Sequence, residues 1–337
     1  MGTTLNQSKQ NFRCIGLVNE LALTREDCEI KVKDKNGNDN GTKDGERIKG
    51  KVAVRIGEGI KTFDVFISSL TTKGEENKQW KNAVAMLDLN PEINGDNSKD
   101  VSLVSVNGRV DENSYLGQDG NVKTILRWSA SRISTSRVKE DEEHGCTLSG
   151  TFFIKSIRPE TKDDEETGRL LVTLCAVGYN AAPILIETVV NEDLAEDFSD
   201  IYEVGQTASF DIDVVTEHVG AKVSAKKKFG SGGAVNVNSG YDKETLVIVG
   251  GDEPIEEPDA DEKEDGVDNG WIDPKAMKMA LKERDTKLAE LKENGNKSTS
   301  NSSNTKKSSL KEKKKLGKAV HPAEEDDDNP FDDDDDF

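Results

Sequence analysis

The chain has 337 residues, which exceeds the usual size of one domain and predicts two domains with extensions. Hydrophobic residues make up only 33% of it and the mean hydropathy is −0.70, so part of the chain is expected to stay outside a packed core. The net charge of −20 would argue against a nucleic-acid partner, but residues 1–139 hold 22 Lys and Arg against 19 Asp and Glu. The first segment is therefore the region whose local charge favours a polyanion.

Several classes of function lack the residues that they need. The four cysteines lie far apart without a CxxC pair, which gives no support to a zinc knuckle and favours buried thiols. Because no P-loop, HExxH, GxSxG or dinucleotide-binding motif is present, we expect no catalysis, no cofactor and no metal ion. No apolar run is long enough for a membrane span or a signal peptide, so we expect no membrane contact and a cytoplasmic location.

The first 140 residues are predicted to form β-strands with one helix. In residues 51–56, apolar side chains alternate with Lys51 and Arg55, which indicates a half-buried strand with a basic outer face. In residues 61–70 the same alternation leaves Phe66 on the open face of the next strand. The two strands together predict a sheet surface that carries cations and an aromatic ring.

The rest of this first segment completes the prediction of a small barrel. Apolar residues at near-helical spacing predict a short helix over residues 76–87. Two strands follow, over residues 101–110 and 121–133. Between them, residues 111–120 are polar, contain Tyr115 and end in an Asp-Gly turn pair, which predicts a long and mobile connection.

A second β-rich segment spans residues 146–250, and its five strands again fit a small barrel. The strands are predicted at residues 147–157, 169–177, 183–190, 208–215 and 245–249. A short helix is expected over residues 191–198. The loop at 222–240 has the composition of a flexible basic finger, with Lys226, Lys227, Lys228 and Phe229 followed by glycines.

Residues 251–337 differ in composition from both β-rich segments. They begin as an acidic, Pro-containing linker, and Asp273-Pro274 then starts an amphipathic helix that is predicted over residues 273–293. After the helix, the composition predicts a disordered tail, in which a lysine-rich stretch at 306–318 precedes a strongly acidic end. The acidic end contains Phe331, Asp332, Asp333, Asp334, Asp335, Asp336 and Phe337.

An acidic run that ends in an aromatic residue offers a partner a ring, a carboxylate and dense charge together. With this tail, the segments at 106–110 and 123–128, Tyr115 and the Asp119-Gly120 turn, the sequence resembles the single-stranded-DNA-binding proteins of bacteria and bacteriophages. The resemblance implies tandem OB-fold barrels that coat single-stranded DNA in replication, recombination and repair. It also implies a tail that recruits a polymerase, helicase or primase, in a bacterial cytoplasm or a phage-infected cell.

Binding of single strands without sequence preference needs cations for phosphates and flat rings for bases. The first segment offers both, and the candidates are Lys49, Lys51, Arg55, Phe66, Arg109, Tyr115, Lys123, Arg127, Trp128 and Arg132. Trp128 shares its alternation face with Leu126 and Ala130, so it could pack in the core or stack on a base. Any one basic residue is more often solvated surface than a phosphate contact, and only the collection is persuasive.

Other interpretations of the sequence stay open at this point. An acidic DNA mimic that occupies a host DNA-binding enzyme would use the negative charge of residues 140–337 and would have no affinity for DNA. A metal-dependent nuclease is a weaker alternative, which would use the acid cluster at 163–166. The second β-rich segment could bind DNA through Lys226 to Phe229, act as a spacer, or form the contact surface of a homo-oligomer.

Overall fold

The computed structural model describes residues 5–34, 37–135, 138, 142–178, 181–219, 241–259 and 268–300. The first half of this part of the chain contains β1 (Gln10–Lys33), β2 (Asp39–Ile56), β3 (Gly59–Ser68), α1 (Trp80–Ala85) with a 3-10 turn (Met86–Asp88), β4 (Leu103–Leu116) and β5 (Val122–Ser134). The second half contains β6 (Gly145–Lys162), β7 (Glu165–Val177), β8 (Pro183–Val190), α2 (Glu192–Ile201), β9 (Thr207–Val219), β10 (Tyr241–Gly251) and α3 (Pro274–Ser300). Within these residues no helix is long and apolar enough to cross a membrane.

Strands β1 to β5 close into a five-stranded barrel. β1 pairs antiparallel with β2 through its second half and with β4 through its first half, while β3 and β5 run parallel. The strand order around the barrel is therefore β1-β2-β3-β5-β4, with α1 between β3 and β4. This Greek-key arrangement is the OB fold.

Strands β6 to β10 repeat the same arrangement. β6 pairs with β7 and β9, β8 runs parallel to β10, and α2 lies between β8 and β9. The structure thus confirms the predicted fold class, a mainly β protein with tandem OB-like five-stranded barrels. Because of this repetition, each strand of the first barrel has an equivalent in the second, and β7 and β8 correspond to β2 and β3.

Alternating apolar residues fill both barrels with aromatic side chains. In the first, Phe12 stacks on Phe63 with ring centroids 5.1 Å apart and meets Trp128 edge-on at 5.2 Å. In the second, Phe198 of α2 packs against Tyr202 and the strand residue Phe210. Truncation of such a ring typically costs about 3–5 kcal/mol, so these contacts fix the barrels firmly.

The two barrels are joined edge to edge. Residues 10–15 of β1 pair antiparallel with residues 145–150 of β6, which places Cys14 directly opposite Cys146. Burial is the main cause that raises the pKa of Cys14 well above its ordinary value, and the neighbouring Cys146 thiol adds to it. The sheet is therefore continuous from one barrel to the other, with two buried cysteines facing each other at the junction.

Helix α3 packs on both barrels. Met277 and Leu281 pack with Cys175 of β7, and the Met277 sulfur lies 3.5 Å from the Cys175 sulfur. On the first barrel, Arg284 donates to both carboxylate oxygens of Glu112 at 2.8 and 2.9 Å, in a pair that is only 13% and 10% exposed. The sequence left open whether this helix docks on the body, and the structure shows that it does.

The structure corrects the predicted loop over residues 111–120. β4 continues to Leu116, and Tyr115 pairs with Lys123 across the hairpin. The turn itself is tight, since the Gly117 N–H bonds to the Asn121 carbonyl and the Gly120 N–H bonds to the Gly117 carbonyl. The polar residues that indicated a loop belong to a strand that continues to Leu116; on it Asn113 and Tyr115 are exposed, whereas Glu112 is largely buried in its pair with Arg284. The helix predicted to end at residue 293 continues to Ser300, which corrects the start of the predicted disordered tail, and the rest of that tail lies outside the described residues.

Candidate nucleic-acid interface

The outer face of β2 and β3 gathers the basic residues that the alternation predicts. The core side of β2 is occupied by Ile48 and Val52, which directs Lys49 and Lys51 outward. Across the strands, Lys49 lies opposite Phe66 and Lys51 lies opposite Asp64. Between these two lysines lies Gly50, where φ is +139° and a Cβ would lie 2.0 Å from the Ala22 carbonyl oxygen, so β1 and β2 approach closely there.

Phe66 does not stand alone on this face. The Arg47 guanidinium lies over its ring, 4.4 Å from the centroid, and forms a cation–π pair. Bases stack on guanidinium planes as well as on rings, so the pair forms one flat platform. Arg47 is a residue that sequence reasoning missed, although it continues the alternation of Lys49 and Lys51 by one more step.

Acidic side chains partly neutralise the face. Lys49 forms an ion pair with Glu26 of β1 at 2.7 Å, and Arg127 of β5 donates to Asp64 at 2.9 Å. These pairs are 28–50% exposed, and exposed pairs of this kind contribute at most about 1 kcal/mol. With Arg47 and Lys51 the face holds four cations, against Glu26, Asp64 and also Asp111 of β4, which lies opposite Arg127. The excess is positive, and phosphate oxygens can replace the carboxylates at little cost.

The tip of the β4–β5 hairpin carries a second group of predicted residues. Tyr115 is 42% exposed, and Lys123 opposite it lies 3.7 Å from Asp119. A hydrogen bond from the Asn121 N–H is the main cause that lowers the pKa of Asp119, so this carboxylate stays ionised beside Lys123. The loop between the fourth and fifth strands is a contact region for oligonucleotides in OB folds.

Two predicted cations lie away from this face. Arg55 forms an ion pair with Glu92 in the α1–β4 connection, and Arg132 bonds to Gln79 at 3.3 Å. Arg109 lies on β4 opposite Ser129 of β5, and its charge acts together with that of Arg127 on Asp111. The structure therefore brings Lys49, Lys51, Phe66 and Arg127 together, places Arg109 on the strand beside β5, and separates Arg55 and Arg132 from them.

The structure corrects the expectation that Trp128 stacks on a base. Trp128 is only 5% exposed, its ring meets Phe12, and Lys61 lies over it with the ammonium nitrogen 3.7 Å from the ring centroid. The alternation that it shares with Ala130 turns it inward. Trp128 is therefore a core residue, which was the other interpretation that its position allowed.

Some predicted residues lie outside the described part of the chain. They are the basic finger with Lys226, Lys227, Lys228 and Phe229, and the acidic end with Phe331, Asp332, Asp333, Asp334, Asp335, Asp336 and Phe337. Among the described residues, no group of three or more His, Cys, Asp or Glu side chains is placed to hold a metal ion. The open face of the first barrel is thus the site with the most complete geometry.

The corresponding face of the second barrel is closed. On the outer side of β7 and β8, Cys175 and Val177 are buried, and Leu185 packs with them. The cover consists of Ile272 and of Met277 and Leu281 from α3. The two barrels share a topology but not a surface, since one exposes cations on this face and the other buries apolar side chains.

The family described as YorF matches residues 25–294 of the chain. No curated protein matches the sequence. Among solved structures, the chain is similar to the wild-type single-stranded DNA binding protein from Thermus aquaticus, with a TM-score of 0.41 and 10% identity, over 75% of this chain and 97% of that chain. A deletion mutant of that protein gives a TM-score of 0.39 and 9% identity, over 75% and 98% of the two chains.

Proposed function

The chain belongs to the YorF family, and we propose that it binds single-stranded DNA without sequence preference through the outer face of β2 and β3. The observation that supports the proposal is the combination on this face of Lys49 and Lys51 with the stacked Arg47–Phe66 pair. Cations for the backbone beside a flat platform for bases are what binding of single strands requires. An OB barrel presents its second and third strands for this purpose.

The contacts would form by exchange of partners. A phosphate that approaches Lys49 takes the place of Glu26, and one near Arg127 takes the place of Asp64, while Lys51 adds a further cation. A base then stacks on the Arg47–Phe66 platform. This stacking requires a base that is not paired with a complementary strand. Duplex DNA cannot satisfy this requirement, so we expect selectivity for single strands.

The strand would extend from this face toward the β4–β5 hairpin, where Tyr115 and Lys123 add a ring and a cation. The second barrel would not contribute its equivalent face, because α3 covers it. We therefore propose that the second barrel stabilises the first and does not bind the strand through this face. Binding by Lys226 to Phe229 stays a proposal that is based on their composition.

The acidic end of the sequence supports a second part of the proposal. Its aspartates, with Phe331 and Phe337, would recruit replication or recombination enzymes such as a polymerase, helicase or primase to the coated strand. The protein would act stoichiometrically, to protect single-stranded DNA and to deliver it to these enzymes. We propose no catalytic activity for it.

A titration of the full chain with labelled oligothymidine and with a matching duplex, followed by fluorescence anisotropy, tests the proposal. We expect salt-sensitive binding of the single strand and much weaker binding of the duplex at physiological salt, because the bases of a duplex cannot stack on the platform. Absence of binding to both would refute the proposal and favour the acidic DNA mimic. Equal binding of both would refute the role of the stacking platform.

A further inference from the structure

A cleft lies next to the proposed DNA-binding face, at the junction of the two barrels. β3 and β5 pair only at residues 64–65 and 129–130, and before this point they separate. The opening has a volume of about 450 Å³, within the range of small-ligand pockets. Its lining residues are Ile60, Lys61, Thr62, Ile125, Leu126, Trp128, Thr216 and Glu244.

The walls of the cleft are apolar on the side of the first barrel. Ile60 and Leu126 are half-buried, and Ile125 is 48% exposed. Flat apolar ligands gain most from walls of this kind, because both faces of the ligand leave water. The cleft opens beside the proposed path of DNA, since Thr62 is exposed on β3 only two residues from Asp64 of the basic face.

The floor of the cleft carries the polar groups. The ammonium of Lys61, with a side chain only 5% exposed, forms an ion pair with Glu244 of the second barrel. Burial is the main cause that lowers the pKa of Lys61, and the Glu244 carboxylate acts against it. Thr216, directly opposite Glu244 in the β9–β10 pair, has a buried hydroxyl without a hydrogen-bond partner among the described residues.

This set of groups is selective among the four bases. An ammonium donates to an acceptor, and a carboxylate accepts from two adjacent donors. Guanine presents O6 as an acceptor beside the N1–H and N2–H donors on one edge, so it can satisfy Lys61 and Glu244 at the same time. Thymine offers the carboxylate one N–H donor, and adenine and cytosine each offer it one amino group.

We propose that the cleft between the barrels binds one guanine base of the strand that lies on the β2–β3 face. The base lies between Ile60 and the Ile125–Leu126 wall, its O6 accepts from Lys61, and its N1–H and N2–H donate to Glu244. The site rests on the proposed binding of single-stranded DNA. It adds a preferred position to a surface that otherwise binds any sequence.

The test compares the affinity of oligothymidine with that of the same strand with one central guanine, as a ratio of dissociation constants. For the wild-type chain we expect the guanine-containing strand to bind about 10-fold more tightly, as one well-placed base contact gives. Inosine lacks the 2-amino group, so in place of guanine it should reduce the ratio to about 3-fold, with a single remaining donor to Glu244. This comparison needs no variant of the protein.

Glu244→Gln tests the residue itself, because an amide accepts through only one oxygen. The ratio should fall to between about 1 and 3 in this variant, whereas Glu165→Gln, at an exposed acid in the β6–β7 hairpin, should leave it at about 10. A wild-type ratio near 1 with tight binding of oligothymidine would overturn the proposed guanine site and leave the proposed function intact. Failure to bind either strand would overturn both.

Discussion

Replacement of Arg47, Lys49 and Lys51 by alanine removes three cations from the proposed interface. Each phosphate contact to single-stranded DNA contributes about 0.7 to the slope of log affinity against log salt concentration, so the loss of Lys49 and Lys51 should lower that slope by about 1.4. At about 0.1 M salt the same relation gives about 5-fold per contact, or about 25-fold for the two together. Loss of Arg47 also removes half of the platform with Phe66, which makes 25-fold a lower bound.

The assay is anisotropy titration of labelled oligothymidine between about 50 and 200 mM salt, over which log affinity falls linearly with log salt concentration. A matched control replaces Lys155, Lys162 and Lys282 by alanine, because these exposed lysines lie on the second barrel and on α3 and the variant has the same net charge. The control should keep the wild-type slope. Equal loss of affinity in both triple variants would refute the reasoning, because it would show that overall charge and not this face attracts the strand.

The other predictions concern single features of the structure. Phe66→Ala should weaken oligothymidine binding by about 1–3 kcal/mol and leave the salt slope unchanged, since it removes a ring and no cation; an altered slope would contradict this. Arg284→Met should lower the free energy of unfolding, measured in urea, by about 3 kcal/mol, because it leaves Glu112 buried without its cation. Adding Glu112→Gln to this variant should restore part of the loss. A loss below about 1 kcal/mol would show that the pair contributes no more than an exposed ion pair does. Burial raises the pKa of Cys175 to about 12 from an unfolded value of 9.0, so the folded state holds its proton longer and stability falls as the pH rises from 9 to 12. In urea titrations at several pH values over this range, the free energy of unfolding of Cys175→Ala should fall by about 1.4 kcal/mol less per pH unit than that of the wild type. An equal fall in both proteins would contradict the raised pKa of Cys175.

Much of the fold could be predicted because strand periodicity is a local property. The alternation in residues 51–56 gave the correct faces of β2. On β7, by contrast, residues 170–177 are apolar at every position except Thr173, because one side of the strand faces the barrel core and α3 covers the other. The helix pattern at 273–293 was likewise visible, but its docking depends on Glu112 and on β7, which are distant in sequence.

The candidate site was predictable in part for the same reason. Lys49, Lys51 and Phe66 follow from alternation alone, and Arg47 would have followed from one further step along β2. The remaining predictions depended on contacts that no local pattern contains. The cleft is the clearest example, because Lys61 and Glu244 are 183 residues apart and meet only when the two barrels pair through β1 and β6.

The most direct test of the central claim is to map where a bound strand contacts the protein. Oligothymidine that carries iododeoxyuridine is bound to the full chain and irradiated, and the crosslinked peptides are identified by mass spectrometry. We predict crosslinks at Phe66 and at Tyr115, the rings on the β2–β3 face and at the hairpin tip, and their loss when unlabelled oligothymidine competes. Crosslinks confined to the second barrel, with neither of these rings modified, would contradict the assignment of the DNA-binding face.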